Sequence, residues 1–139
     1  MHIEYPLLSS CDPSVCFSSR MMRLNRIISS IFRKHITPFG LTPSQLSILF
    51  VVAKKGNKSQ RELCDLLFLE KSSTSRNLQR LLEGDLVKKN ALRQIEITKE
   101  GRLLIEKIIP SWEEAMEEVR SILGKEGQDS FEVIYDRIT

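Results

Sequence analysis

The sequence predicts a mainly α fold with one small β-hairpin, and three observations lead to it. Apolar residues recur at three- and four-residue steps over residues 17–36, the spacing of one face of an amphipathic helix. Thr42 and Ser59 are each followed three positions later by Gln or Glu, the capping-box pattern of a helix start. Alternation of apolar and polar residues appears only within residues 86–97, which predicts two short strands.

Each element follows in order along one predicted domain of 139 residues. The first fifteen residues carry two prolines and several serines and predict an extended arm. Helices are then predicted over residues 17–36, 43–55, 60–67 and 72–83, strands over 86–90 and 94–97 around a turn at 91–93, a long helix after Thr98, and a short last helix after a break at 124–128. We expect Pro38 and Gly40 to end the first of these helices and Pro110 to kink the long one.

Composition limits the function classes. Residues 54–102 carry 12 Lys/Arg and 7 Asp/Glu, whereas residues 103–139 carry 4 and 9, so the middle of the chain suits an anionic partner. No apolar run approaches the roughly 20 residues of a membrane-spanning helix, and residues 1–10 do not resemble a secretory signal. The three cysteines are an odd number and lack metal-ligand spacing, so we expect no disulfide framework and no metal site, and also no cofactor. This cysteine usage fits a protein of the reducing cytoplasm.

The two short helices at 60–67 and 72–83, with a hairpin after them, form the pattern of a winged helix-turn-helix. A helical wheel of the second helix places Thr74, Leu78, Leu81 and Leu82 on the buried side. The opposite pole carries Ser73, Arg76 and Arg80, with Ser72, Asn77, Gln79 and Glu83 beside it. Arginine can pair with guanine, and Asn or Gln with adenine, so this helix is predicted to read the major groove of DNA. The alternative is an ordinary solvated helix.

The hairpin, or wing, adds three cations to the predicted DNA-binding surface. A wing beside a reading helix can place them on phosphates or in the adjacent minor groove, although lysine on an edge strand also blocks unwanted strand pairing. The complete set of candidate DNA-binding residues is Ser59, Gln60, Arg61, Lys71, Ser72, Ser73, Arg76, Asn77, Gln79, Arg80, Lys88, Lys89 and Arg93.

Five segments, in order and at compatible spacings, resemble the MarR family of bacterial transcriptional regulators. Residues 39–46 (FGLTPSQL) are similar to the family's GLTPSQL segment, and residues 59–67 (SQRELCDLL) to its T-x-R-E-L-A-x-x-L helix. Residues 71–81 (KSSTSRNLQRL) resemble its reading helix, K-S-T-V-S-R-N-L-x-R-L. Residues 97–102 (ITKEGR) and 110–115 (PSWEEA) resemble the entry into the long helix and a segment within it.

The resemblance implies a homodimeric repressor of transcription. It implies that residues 17–37 and 99–139 form dimerisation helices, and that residues 42–98 bind a near-palindromic duplex. It also implies release from DNA by a small aromatic ligand. Two departures are visible: Arg93 lacks the Asp two residues earlier that the family's wing usually has, and the family's glycine after the reading helix falls at Asp85, so that either Gly84 or Asp85 can take the left-handed turn.

Oxidation of a cysteine is the second form of control that the resemblance implies. Cys16 lies at the start of the first long helix, and Arg20, one turn on, could stabilise a thiolate there. A small buried or capping residue without a redox role is the alternative, favoured because we see no clear tyrosine partners near Cys16. Cys64 is expected in the core, Trp112 in a dimer core, and His35 in a structural role rather than lining a ligand cleft.

An enzyme and a protein-binding module are the two alternatives to a DNA-binding regulator. An enzyme lacks support, because the sequence has no glycine-rich phosphate loop or paired metal ligands, and His2 and His35 are its only histidines. A winged-helix module that binds protein is the stronger alternative. Such a module should carry a more apolar face where this chain has Ser73, Arg76 and Arg80.

Overall fold

A computed structural model describes residues 4–139. Over this range the chain forms two 3-10 turns, Pro13–Val15 and Thr37–Phe39, and the following elements: α1 (Pro6–Ser10), α2 (Phe17–Ile36), α3 (Pro43–Lys55), α4 (Gln60–Leu67), α5 (Lys71–Glu83), β1 (Val87–Lys89), β2 (Ile95–Ile97) and α6 (Lys99–Ile138). The fold class predicted from the sequence, mainly α with a small hairpin, is confirmed.

The predicted extended arm is wrong where the structure describes it, and residues 1–3 of the arm lie outside the described residues. Pro6 and Pro13 each stand at the first position of a helical turn, where their fixed φ fits and their missing N–H costs nothing. The carboxylate of Asp12 accepts hydrogen bonds from the hydroxyl of Ser14 at 2.6 Å and from its backbone N–H at 3.1 Å. These prolines therefore start turns rather than keep the chain extended.

Both predicted capping boxes are present. The side chain of Thr42 accepts from the backbone N–H of Gln45, and that of Ser59 accepts from Glu62, with the reciprocal bond made in each case. Gly40, with φ of 80°, ends the turn that follows α2. Each box pairs two of the free backbone N–H groups at the start of its helix, and α3 and α4 begin where the sequence predicted.

One apolar core joins the helix-turn-helix to the wing and to the long helix. Its fully buried members include Ile48 and Leu49 from α3, Leu63 from α4, Leu81 from α5 and Ile95 from β2. Thr74, Leu78 and Leu81 of α5 are buried and Leu82 is half-buried, as the helical wheel predicted. Cys64 was expected in the core but is only half-buried, with its thiol donating to the hydroxyl of Thr74 at 3.3 Å.

The wing is an antiparallel pair in which Val87 faces Ile97 and Lys89 faces Ile95. Its strands are shorter than the predicted 86–90 and 94–97, and a bridge that the sequence did not reveal extends the sheet. Lys58, in the loop between α3 and α4, exchanges two backbone hydrogen bonds with Ile95, of 3.1 and 2.6 Å. The base of the wing is therefore fixed to the helix-turn-helix through the backbone.

The turn between α5 and β1 is taken by Asp85 rather than by Gly84. Asp85 has φ of 56°, whereas Gly84 has φ of −84°. The backbone N–H of Asp85 bonds to the carbonyl of Leu82, and its own carbonyl accepts from the hydroxyl of Thr98 at 2.6 Å. Thr98 in turn caps α6 by accepting from the N–H of Gly101, so this turn also positions the start of the long helix.

The break in α6 lies at Gly124 and not at Pro110. Gly124 is the residue inside α6 with non-helical angles, φ of 64° and ψ of −179°, and the helix resumes directly after it. The amide of Gln128 donates to the carbonyls of Gly124 and Arg120, which compensates for hydrogen bonds lost at the break. Pro110 lies within the continuous helix, where a kink stays a prediction, and the predicted gap at 124–128 narrows to one residue.

α2 packs along α6 and leaves an apolar strip uncovered. Met21, Leu24 and Ile27 on α2 are exposed, and so are the apolar residues at the end of α6, which are Phe131, Val133, Ile134, Tyr135 and Ile138. Within residues 4–139 no single helix is long and apolar enough to span a membrane; only the bent pair Phe17–Phe39 and Pro43–Lys55, at 74°, has the required length and composition.

Candidate nucleic-acid interface

The helix-turn-helix is held by contacts between its own residues. α4 ends at Phe68, whose φ of 52° turns the chain sharply so that α5 can begin at Lys71. Thr74 is fully buried, donates its hydroxyl to the carbonyl of Glu70 at 2.9 Å and accepts from Cys64 across the turn. This polar contact links the two helices across the turn, and the bond to Glu70 ensures that the buried hydroxyl of Thr74 is not left unpaired.

The outward face of α5 carries the cations that the helical wheel predicted. Arg76 and Arg80 are exposed, and Ser73 beside them is half-buried. A guanidinium nitrogen of Arg76 lies 3.4 Å from the hydroxyl of Ser73. Across the described residues neither arginine has a carboxylate within 4.0 Å, so both guanidinium groups are available to an anionic partner. Gln79, at the edge of this face, donates instead to Glu83 at 3.1 Å.

Asn77 lies on the flank of the same helix and contacts α3. Its side-chain oxygen accepts from the amide of Gln45 at 3.5 Å, a long hydrogen bond between residues 32 positions apart. Gln45 is only 5% exposed and also closes the capping box of α3. The start of α3 and the reading face of α5 are therefore connected through side chains.

The starts of α4 and α5 supply the remaining candidates on the helix-turn-helix. Ser59 is the N-cap of α4, and Gln60 and Arg61 form its first turn, with Arg61 exposed. Lys71 and Ser72 open α5 and are both exposed. Backbone N–H groups at helix starts favour phosphate, and the basic side chains at both starts add to that preference.

The three wing cations differ in their surroundings. The ammonium of Lys88 lies 3.2 Å from a carboxylate oxygen of Glu96, whose other oxygen accepts from the amide of Asn57 at 3.0 Å. The hydrogen bond from Lys88 lowers the pKa of Glu96 below its ordinary value of 4.5. Lys89 and Arg93 are exposed and, in the described part of the chain, have no ion pair. Lys88 is thus partly neutralised, while the other two retain their full charge.

Arg93 stands at the tip of the wing in a left-handed conformation, with φ of 60°. Asn90 organises this tip: its side-chain oxygen accepts from the N–H groups of Leu92 at 2.9 Å and Gln94 at 3.0 Å, and its carbonyl accepts from the N–H of Arg93. A long side chain in this region is uncommon and costs energy that glycine would avoid. The turn therefore presents Arg93 in a fixed backbone conformation without the Asp two residues before it.

A cleft of about 210 Å³ lies between α2, α3 and α6. Phe50 and Trp112 meet in it edge to face, with ring centres 5.4 Å apart. Its lining is mostly apolar with two hydroxyl groups, and comprises Ile28, Ser29, Phe32, Pro43, Leu46, Ser47, Phe50 and Trp112. Trp112 thus lines a cleft within one chain, and its predicted place in a dimer core stays a prediction.

His35 and Cys16 are the other two residues that the sequence singled out, one for a structural role and one as a redox candidate. A ring nitrogen of His35 lies 2.8 Å from Glu118, and the other lies 3.5 Å from Glu114, so this histidine connects α2 to α6.

Cys16 is exposed, not buried, and forms the N-cap of α2 without a side-chain hydrogen bond. Arg20 donates to the carbonyl of Ser14 at 2.9 Å. Within residues 4–139 no group of three or more His, Cys, Asp or Glu side chains is placed to hold a metal, and His2 lies outside the described residues.

Several residues that shape this interface were missed from the sequence. Asn90 could have been found, because Asn commonly organises turns through its side chain. Gln45, Asn57 and Glu96 gave no such signal, because each acts through a partner far along the chain.

Comparison with known proteins agrees with this geometry. Residues 39–93 match the model of the MarR family. The transcriptional regulator MhqR of Bacillus subtilis is 26% identical over 112 residues, which cover 76% of this chain and 77% of that protein. Among solved structures, the regulator MosR of M. tuberculosis superposes with a TM-score of 0.78 at 24% identity, covering 89% of this chain and 94% of the other.

A third similar structure is that of BpsR of Bordetella bronchiseptica, whose DNA binding is regulated by 6-hydroxynicotinic acid. It superposes with a TM-score of 0.81 at 17% identity, covering 93% of this chain and 98% of the other. The matched segment contains the helix-turn-helix and all but the last strand of the wing. The chain is thus similar to the MarR family of transcriptional regulators over residues 39–93, and it shares its fold with solved structures of transcriptional regulators.

Proposed function

We propose that this protein binds duplex DNA sequence-specifically as a homodimer in the cytoplasm, and represses transcription until a small aromatic ligand releases it. The observation that carries the proposal is the outward face of α5, where Arg76 and Arg80 are exposed and have no carboxylate partner in the described part of the chain. A helix that presents two arginines beside hydroxyl and amide groups suits the major groove, where arginine pairs with guanine.

The wing and the helix starts supply contacts that position the protein without reading bases. Arg61 and Lys71 lie at helix starts, and Lys89 and Arg93 extend the positive surface onto the wing. Contacts of this kind go to phosphates, which fix the register of the protein on the duplex and make binding depend on salt. The rigid link between Lys58 and Ile95 supports this role, because it holds the wing in place relative to α5.

An Arg76→Ala variant tests the reading role. We expect specific affinity to fall by about 1–3 kcal/mol on a duplex that the wild type selects from a random pool, with little loss on unrelated DNA. Fluorescence anisotropy on both duplexes measures this. Lys107→Ala, which removes an exposed charge on α6, is the matched control and should change neither affinity. An equal loss on all sequences for Arg76→Ala would make that residue a phosphate contact, and no loss would refute the proposal for this face.

The exposed apolar strip supports the homodimer. Met21, Leu24 and Ile27 lie on α2, and a second group lies at the end of α6, where a single chain leaves them in water. Monomeric proteins rarely expose large continuous apolar patches, and most homo-oligomers are two-fold symmetric dimers. We expect Ile27→Asp to shift the protein to a monomer in light scattering, whereas Leu92→Asp on the wing should leave the dimer intact. A wild-type monomer at micromolar concentration would contradict the proposal.

The aromatic cleft supports control by a ligand. Three aromatic side chains and two hydroxyl groups line it, and its size of about 210 Å³ suits a molecule with one or two rings. Trp112 is the only tryptophan in the sequence, so its fluorescence reports on the cleft directly. Titration with 6-hydroxynicotinic acid and a panel of simple phenols should quench it and weaken DNA binding together. Weakened DNA binding without any change in Trp112 fluorescence would place the ligand elsewhere.

A further inference from the structure

We infer that Gln45 is a positioning residue that fixes the amide of Asn77, so that Asn77 presents hydrogen-bond donors to DNA and discriminates against cytosine. This inference rests on the proposed DNA binding and assigns a base preference to one residue of the reading helix. It departs from the simple expectation that asparagine on such a helix pairs with adenine, which needs one donor and one acceptor from the same amide.

The first step is the orientation of Gln45. Its side-chain oxygen accepts from the backbone N–H of Thr42 at 3.1 Å, which closes the capping box of α3. Only an oxygen can accept from that N–H, so the other end of the amide must be the NH₂ group. Gln45 is 5% exposed and needs a partner for this group, because an unpaired buried donor is costly.

The second step carries the orientation to α5. The NH₂ group of Gln45 lies 3.5 Å from Asn77, and a donor can only be matched by the side-chain oxygen of Asn77. That oxygen is thereby occupied on the side facing α3. The NH₂ group of Asn77 has no acceptor within the described residues and is left for an outside partner. The capping box of α3 thus determines that the NH₂ end of the Asn77 amide, on α5, is the end left for DNA.

The third step is the base edge that this amide can read. In the major groove, guanine offers two acceptors and thymine and adenine offer one each, whereas cytosine offers only a donor. An asparagine that donates therefore disfavours cytosine relative to the other three bases at the position it contacts. We expect a preference of about 2- to 10-fold, the effect of a single hydrogen bond.

The test measures base preference at every position of a random duplex pool, by sequencing bound and unbound DNA for each full-length variant. Asn77→Ala identifies the contacted position, because preference there should disappear. Gln45→Glu keeps the capping box but offers Asn77 a second acceptor, so Asn77 must turn and present its oxygen. We expect the preference at that position to reverse in favour of cytosine or adenine, and Asn77→Ala combined with Gln45→Glu to show no preference there.

Two further variants keep the result interpretable. Ser44→Glu adds the same negative charge on the exposed side of the same turn, and should lower affinity for all sequences without changing base preference. Gln45→Met keeps the side-chain volume, frees the amide of Asn77 and should relax the discrimination against cytosine. Unchanged discrimination against cytosine in Gln45→Glu overturns the inference, and so does an Asn77→Ala variant that loses affinity equally for all bases. A wild type without preference at any position refutes the proposed function itself.

Discussion

Replacing Gly101 with alanine should destabilise the protein, although alanine favours helices. Gly101 is buried in the first turn of α6, and a Cβ added there would lie 2.3 Å from the carbonyl oxygen of Leu86 and 2.9 Å from a side-chain carbon of Ile97. The Leu86 oxygen belongs to the backbone and accepts the N–H of Thr98 at 3.1 Å, so it cannot withdraw without weakening that bond. The substitution therefore separates the wing from the long helix or strains both.

The magnitude follows from opposing contributions. Overpacking a tight site costs about 1–3 kcal/mol, and a weakened hydrogen bond costs about 0.5–1.5 kcal/mol. Helix propensity returns at most about 1 kcal/mol. We expect a net loss of about 1–3 kcal/mol, or a melting temperature lower by roughly 3–12 °C in a protein of this size.

Thermal and urea unfolding at a fixed protomer concentration measure this loss, because dimerisation would otherwise shift the result. Gly84→Ala is the matched control. A Cβ at Gly84 would meet its nearest atom at an ordinary 3.5 Å, and φ there is −84°, so stability should stay equal or rise by up to about 1 kcal/mol. A Gly101→Ala protein as stable as the wild type would refute the reasoning about this close approach.

Three further predictions concern the wing, the α2–α6 contact and oxidation. Arg93→Gly should weaken DNA binding and reduce its salt dependence, because a cation is lost. It should also raise the free energy of unfolding by up to about 1 kcal/mol, since glycine tolerates φ of 60°. A loss of both DNA affinity and stability would indicate a structural role for Arg93 instead. Hydrogen bonds from Lys34 and His35 lower the pKa of Glu118, so the stability it contributes is present above pH 4.5 and is lost as the pH falls through the lowered value. Glu118→Gln should reduce the loss of stability below pH 4.5 when the free energy of unfolding is measured across pH. An unchanged loss in this variant would contradict the prediction. Peroxide should affect DNA binding by the wild type and Cys16→Ser alike, and a selective loss in the wild type would establish a thiol switch.

The helices were predictable because their signals are local. Both capping boxes, at Thr42 and Ser59, appear in the structure as the sequence indicated, and the buried face of α5 follows from helical periodicity alone. Arg76 lies on the opposite side of α5 from that buried face and is therefore exposed. The reading helix of the candidate site was therefore accessible from sequence, with its cations in place.

The remaining features depend on contacts between distant residues or on competition between local rules. Gln45 and Asn77 lie 32 residues apart, and no pattern in the sequence joins them. The bridge from Lys58 to Ile95 is a backbone contact that any residue could make. Pro6 and Pro110 show the competition, because proline can start a helical turn or be tolerated within a long helix as well as break one.

The most direct test of the account is competitive fluorescence anisotropy on the DNA upstream of this protein's own gene, with random DNA as competitor, across a salt series. We predict preferential binding to the upstream DNA that weakens with salt, with a log–log slope that counts the phosphate contacts. Equal, weak binding to both duplexes would exclude autoregulation and require selection of a site from a random pool. Absence of binding to either duplex by a folded dimer at low salt would contradict the central claim and favour a winged-helix module that binds protein.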